Sequence, residues 1–168
     1  ASKVGSIVWS DDGEHLLYSA GTNLFLYSFH TAETSLILSE TDKVEPIAYF
    51  PNSHQLIALK SNRDLRNLWR INTETHQQKQ LSFGSVGAAI EYKGDVLFQY
   101  ESENGLWVLR KKNNALEQLV PSLNGNAKLL RADDQGVYFI EGGLCRESDI
   151  YYFNYATAVK STPLVREN

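Results

Sequence analysis

Ile7-Val8-Trp9-Ser10-Asp11-Asp12-Gly13-Glu14-His15-Leu16-Leu17-Tyr18-Ser19 is the stretch that decides the fold. Two short apolar runs flank Ser-Asp-Asp-Gly, residues that accept left-handed or locally hydrogen-bonded backbone, so the segment reads as a β-hairpin. The same arrangement returns three times. Pro51-Asn52-Ser53 precedes Leu56-Ile57-Ala58, Lys93-Gly94-Asp95 precedes Val96-Leu97-Phe98, and Asp133-Asp134-Gln135-Gly136 precedes Val137-Tyr138-Phe139. Each hairpin is followed by a third apolar run with an aromatic residue: Leu24-Phe25, Leu68-Trp69, Leu106-Trp107 and Ile150-Tyr151. These aromatics stand at 25, 69, 107 and 151, a mean period of 42 residues. A period of roughly 40–45 residues with four strands per unit marks the blades of a β-propeller.

The reading is therefore all-β: four blades of four antiparallel strands, at about 3–42, 43–84, 85–126 and 127–168, forming one partial propeller domain over 1–168. Polar turns at His30–Glu33, Asn72–Thr75, Lys111–Asn114 and Asn154–Thr157 lead into outer strands closing on Ile37, Leu81, Leu119 and Leu164. No segment sustains a 3.6-residue apolar period, so helix content should be near nil.

Composition narrows the function classes. The chain has 168 residues, 42% hydrophobic content and a net charge of −4. Its densest basic run is Arg110-Lys111-Lys112, which argues against nucleic-acid binding by phosphate neutralisation. No apolar run approaches the ~20 residues of a membrane-spanning helix. Any membrane association therefore has to come from segments outside this chain. The single cysteine, Cys145, leaves no internal disulfide. His15, His30, His54 and His76 lack metal-ligand spacing and read as turn histidines, and Gly-x-Ser-x-Gly is absent. The Asp-Asp turns lack the remaining ligands of a calcium loop. The expectation is a non-enzymatic chain without catalytic residues, metal or cofactor.

The repeat resembles the TolB-like or WD40-like β-propeller repeats of bacteria, whose unit reads Trp-Ser-Pro-Asp-Gly, an apolar strand, then Ile-Tyr-Val/Leu. Trp9-Ser10-Asp11-Asp12-Gly13 with Leu16-Leu17-Tyr18 matches the first part. Asn67-Leu68-Trp69-Arg70-Ile71 and Asp149-Ile150-Tyr151-Tyr152-Phe153 match the second, while blades two to four depart from Trp-Ser-Pro-Asp-Gly itself. Such repeats occur in TolB-type periplasmic proteins, in peptidase propellers, and in the C-terminal sensor halves of membrane-anchored winged-helix transcription regulators. The resemblance implies a binding or sensing module of a larger protein. The favoured host is a regulator whose propeller lies in the periplasm as part of an inner-membrane protein; a cytoplasmic setting is the alternative. The rival readings are a gating propeller of a serine peptidase and a TolB-type envelope scaffold.

Recognition is expected where loop length varies, at the connections between second and third strands. Blade one has a compact Ala20-Gly21-Thr22, whereas Lys60–Arg66, Glu101–Asn104 and Glu141–Asp149 read as expanded loops. Lys60, Arg63, Arg66, Glu101, Glu103 and Arg146 are the candidate contacts for a protein partner or small signal ligand. The three cations of blade two are suited to an acidic one. Propellers of this repeat type are mostly wider rings, so further blades are expected upstream. The terminal blade faces should then carry apolar residues, Trp9 or Phe25 on the first and Tyr151 or Phe153 on the last, and favour self-association.

Overall fold

The computed structural model describes residues 3–63, 65–101, 105–113, 115–120, 126–143 and 146–161. They form four antiparallel meanders of four strands each. Sheet 1 contains β1 (Val4–Trp9), β2 (His15–Ala20), β3 (Asn23–Ser28) and β4 (Glu33–Ser39). Sheet 2 contains β5 (Val44–Phe50), β6 (Gln55–Asn62), β7 (Leu65–Asn72) and β8 (Gln78–Gln80). Sheet 3 contains β9 (Val86–Tyr92), β10 (Asp95–Tyr100), β11 (Leu106–Leu109) and β12 (Leu116–Val120). Sheet 4 contains β13 (Asn126–Ala132), β14 (Gly136–Gly143), β15 (Arg146–Asn154) and β16 (Val159–Lys160). Helical structure among the described residues is one 3₁₀ turn, Pro51–Ser53. The chain divides into two compact units, Ala1–Val86 with sheets 1 and 2 and Gly87–Asn168 with sheets 3 and 4.

Turn chemistry explains where strands begin and end. Between β1 and β2, Gly13 takes φ +73°, while the Asp12 carboxylate accepts the Glu14 amide at 2.9 Å. Between β13 and β14, Asp133 Oδ1 accepts the amides of Gln135 at 2.9 Å and Gly136 at 2.8 Å. Lys93 and Gly94 both have positive φ, as a type I′ hairpin requires. In sheets 2, 3 and 4 the turn after the third strand closes on a repeated device, an Asn side chain accepting amides two or three residues ahead. Asn72 Oδ1 receives Glu74 and Thr75, Asn113 Oδ1 receives Ala115, and Asn154 Oδ1 receives Ala156 and Thr157.

Strand register aligns the sheets residue by residue. Tyr18 pairs with Phe25, Ala58 with Trp69, Phe98 with Trp107 and Phe139 with Tyr151. Because side chains alternate along a strand, each sheet has two distinct sides. The side bearing Trp9, Leu16, Tyr18, Phe25 and Tyr27 in sheet 1 is called the front. The side bearing Val8, Leu17, Leu24 and Leu26 is the back. In the first unit, the back of sheet 1 (Leu17, Leu24, Leu38) packs on the front of sheet 2 (Tyr49, Leu56, Ala58, Ile71). In the second unit, the back of sheet 3 (Leu97, Leu106, Val108) packs on the front of sheet 4 (Ala132, Val137, Phe139, Phe153). Each fully buried Leu or Phe in these layers contributes about 1.5–3 kcal/mol relative to exposure.

This alternation corrects one expectation. Phe153 is buried and Tyr151 packs beside it, because both stand on the front of sheet 4 against sheet 3. The exposed side of sheet 4 carries Ile150 instead, with Tyr138 and Tyr152 half-buried. Of the expected outer-strand residues, Ile37 and Leu119 lie within β4 and β12, and Leu81 is buried one residue past β8. Leu164 lies outside the described residues.

Candidate binding site

The segment read as an expanded loop in blade two is a hairpin. Lys60 pairs with Asn67, Ser61 with Arg66 and Asn62 with Leu65, leaving a two-residue connection at 63–64. Sheet 1 stops at Ala20 opposite Asn23, which corresponds to Lys60 opposite Asn67, so the second sheet runs two pairs further. The charged run looked loop-like because neither side of this extension is apolar. Backbone pairing and the left-handed turn residue Arg63, φ 52°, define it instead. Sheet 4 repeats the device: Glu141 pairs with Asp149 and Gly143 with Arg146. The expanded loop at Glu141–Asp149 is thus also mostly strand.

Beside the β6–β7 extension lies a cleft of about 710 Å³, lined by Asp42, Lys60, Asn62, Arg63, Asn67, Trp69 and neighbouring residues. Its walls are held internally. Lys60 Nζ pairs with Glu40 Oε2 at 3.0 Å, donates to Gln78 Oε1 at 2.7 Å, and lies 5.0 Å over the Trp69 ring. Gln78 Nε2 donates to Glu40 Oε1 at 2.6 Å, closing a three-residue network. Arg66 Nη2 pairs with Glu45 Oε2 at 2.7 Å. Asn67 Nδ2 donates to the Gly84 carbonyl at 2.9 Å, and Leu68 N to Ser82 Oγ at 2.8 Å, strapping residues 82–84 along β7.

The candidate residues therefore separate. Lys60 and Arg66 engage carboxylates of their own unit, and Arg63 occupies the hairpin tip. Glu101 is exposed, one residue past β10 in the second unit, where its side chain lies against Gly87. Arg146 opens β15 opposite Gly143. Glu103 and Cys145 lie outside the described residues.

Sequence reasoning missed a second cleft, of about 370 Å³, lined by Tyr92, Lys93, Asp95, Arg110, Asp134, Tyr155 and apolar neighbours. Arg110 bridges Asp95 at 2.7 Å and Glu117 at 3.0 Å, while Asp134 takes the Tyr92 hydroxyl at 2.5 Å and an ion pair from Lys93. The Lys93 and Tyr92 hydrogen bonds hold the Asp134 carboxyl below its ordinary range. Burial pushes the Tyr155 hydroxyl up to about 12, and that hydroxyl has no hydrogen-bond partner among the described residues. The recurring Asp-Asp turn at 133–134 was the available signal, but Tyr92 and Arg110 come from a different sheet and share no local motif with it.

The histidines sit in turns. His15 lies 3.5 Å from Asp12 and edge-on to Tyr49, and His54 lies 3.9 Å from Glu74. Among the described residues, no three His, Cys, Asp or Glu side chains gather as a metal site would require. Nor is any helix there long and apolar enough to cross a membrane.

Four successive four-stranded meanders, packed back to front within each unit, give the chain a TolB-like β-propeller fold. TolB from Acinetobacter baumannii superimposes with a TM-score of 0.72 at 14% identity, over 96% of this chain and 44% of that one. A puromycin-hydrolyzing peptidase from Mycobacterium tuberculosis gives 0.72 at 11% identity, over 96% of this chain and 28% of the peptidase. Dipeptidyl peptidase 4 from Porphyromonas gingivalis gives 0.64 at 11%, over all of this chain and 33% of the peptidase. The chain thus spans less than half the length of each. No protein-family model matches the sequence, and no curated protein sequence matches it.

Proposed function

We infer that this chain is a non-catalytic, protein-binding propeller module of a larger protein, and that the cleft beside the β6–β7 hairpin receives the partner. The observation that carries this reading is the two-pair overshoot of that hairpin, which projects Arg63 and Leu65 beside an open cleft floored by Trp69. The partner is an acidic segment. Arg63 meets it, while Lys60 and Arg66, already paired to Glu40 and Glu45, fix the cleft walls. A W9F/W107F variant leaves Trp69 as the lone tryptophan and reports on the cleft. Its fluorescence should change on titration with a Glu-rich peptide, and Arg63→Ala should remove the response with the melting curve unchanged. No response in the parent, or an equal response in R63A, refutes the assignment.

The host most in keeping with the repeat is a membrane-anchored winged-helix regulator, with this module as its periplasmic sensor. The likeness to two peptidases supports a second reading, a propeller that gates a serine peptidase. The complete open reading frame separates them: a winged helix plus one apolar span of ~20 residues for the regulator, a Gly-x-Ser-x-Gly hydrolase domain for the peptidase.

A further inference from the structure

The cleft between sheets 3 and 4 lies wholly within the second unit and plays no part in the partner site proposed above. Strand alternation puts it there. Leu97 and Val108 pair across β10 and β11 and point from the back of sheet 3 towards sheet 4. One alternation further, towards the β9–β10 turn, the same side carries Asp95 and Arg110, joined at 2.7 Å. The apolar layer thus gives way to charged side chains, and a space of about 370 Å³ remains at that end. Leu97, Val108 and Leu119 supply its apolar lining, while Tyr92 and Tyr155 bring aromatic rings from the two sheets.

The charges around this cleft are already matched. Arg110 lies 2.7 Å from Asp95 and 3.0 Å from Glu117, and Lys93 pairs with Asp134. Two cations therefore face three carboxylates. An anionic ligand has to displace a partner already in place, and a cationic one competes with Arg110 and Lys93 while leaving water for an apolar lining. A neutral ligand meets neither cost.

One polar group is still unsatisfied. The Tyr155 hydroxyl is buried without a hydrogen-bond partner among the described residues. Its residue is fixed in place: the Tyr155 amide donates to the Gln135 carbonyl at 2.8 Å, and the ring meets Phe153 edge-on at 6.4 Å. Burial pushes this hydroxyl up to about 12, so at neutral pH it keeps its proton and is a donor. Buried hydroxyls are normally paired, because an unmade hydrogen bond costs more than a made one contributes.

We propose that this cleft binds a small uncharged aryl carbonyl compound, whose oxygen accepts from the Tyr155 hydroxyl and whose ring lies against Leu97, Val108 and Leu119. The two tyrosine rings suit a flat aromatic body. Small-molecule sites run from roughly 300 to 1,000 Å³, so a cleft at the low end of that range takes one or two rings.

Acetophenone is the probe, titrated into the isotope-labelled 168-residue chain and followed by amide chemical shifts. It should bind with a dissociation constant of about 1 mM or lower, shifting amides near Asp95, Asp134 and Tyr155. Ethylbenzene keeps the shape without the acceptor, and benzoate and benzylamine add a charge of either sign. Each should bind at least about tenfold more weakly. Tyr155→Phe should weaken acetophenone by about tenfold and yet melt no lower than the parent at neutral pH, since it removes an unpaired hydroxyl. Three results overturn the proposal: no shift in these amides at about 5 mM acetophenone, an analogue or Y155F binding as tightly as the parent pair, or Y155F melting lower. The last would mean that the hydroxyl has a structural partner and is not held for a ligand.

Discussion

Adding one methyl group at Gly136 tests how tightly the first hairpin of sheet 4 is closed. Gly136 pairs with Asn154, and a Cβ there would stand 2.0 Å from the Phe153 carbonyl oxygen and 2.6 Å from Tyr152 Cζ. The carbonyl is strand backbone, so it yields only if β14 and β15 part. Overpacking of this kind costs about 1–3 kcal/mol. The Asp133 turn also depends on Gly136: its amide donates to Asp133 Oδ1 at 2.8 Å, and its carbonyl accepts the Asp133 amide at 2.9 Å. Losing those two bonds adds about 1 kcal/mol each, for a total of about 3–5 kcal/mol. At about 4 °C per kcal/mol for a unit of this size, Gly136→Ala should lower the melting temperature by roughly 12 °C or more. Gly13→Ala is the control. A Cβ at Gly13 meets nothing within 4 Å, and only its φ of +73° is unfavourable, at about 1 kcal/mol. Thermal melts followed by circular dichroism compare the two. G136A melting within about 2 °C of wild type, or G13A melting below G136A, refutes the reasoning.

Leu68→Ala removes a fully buried side chain of β7 and should cost about 2–5 kcal/mol in urea denaturation. Lys60→Ala should cost about 1–3 kcal/mol by removing the cation that Glu40 and Gln78 share, which leaves Glu40 with Gln78 alone, and the K60A/E40A double variant should lose less than the two singles summed. Removing Lys60, Arg63 and Arg66 together is accordingly a stability change as well as a binding one. Asp133 is held below its ordinary pKa of 3.8, first by the Gln135 amide, so its contribution is present above that value and lost as pH falls through the lower folded value. An acid titration of stability should show this loss in wild type and not in Asp133→Asn. Tyr155, raised to about 12, acts in the other direction. The unfolded chain ionises first, near pH 10, so stability should decline as pH rises from about 10 towards 12, and Tyr155→Phe should flatten that limb.

Local chemistry carried most of the fold into the sequence. The Gly13 turn, the Lys93-Gly94 turn and the Asn72, Asn113 and Asn154 side-chain caps are each specified within four residues, and the aromatics of the third strands share one register position. Charged hairpins were less legible. Lys60–Arg66 and Glu141–Asp149 lack apolar alternation, so nothing in side-chain pattern marked them as strands, and only the backbone pairing does. The cleft network was hidden for another reason: Glu40, Lys60 and Gln78 come from a linker and two strands, with no fixed spacing to betray their contact. Sidedness was missed at the last blade because Tyr151 and Tyr152 are chemically alike, and one residue of register decides which is covered.

Among the described residues every sheet is made of consecutive hairpins, with no strand borrowed from a distant part of the chain, and this governs the order of folding. Loop closure within a sheet is short-range, so a meander can pair as soon as its fourth strand is available. Burial between sheets must wait for the next meander. At ribosomal speeds of about 5–20 residues per second, the Leu17, Leu24 and Leu38 surface is left facing water for some seconds before Leu56 and Ile71 arrive to cover it. Synthesis rate through residues 44–71 thereby sets how long the nascent chain displays a sticky surface. Slow codons placed there would lower the yield of native protein without altering a single contact in it.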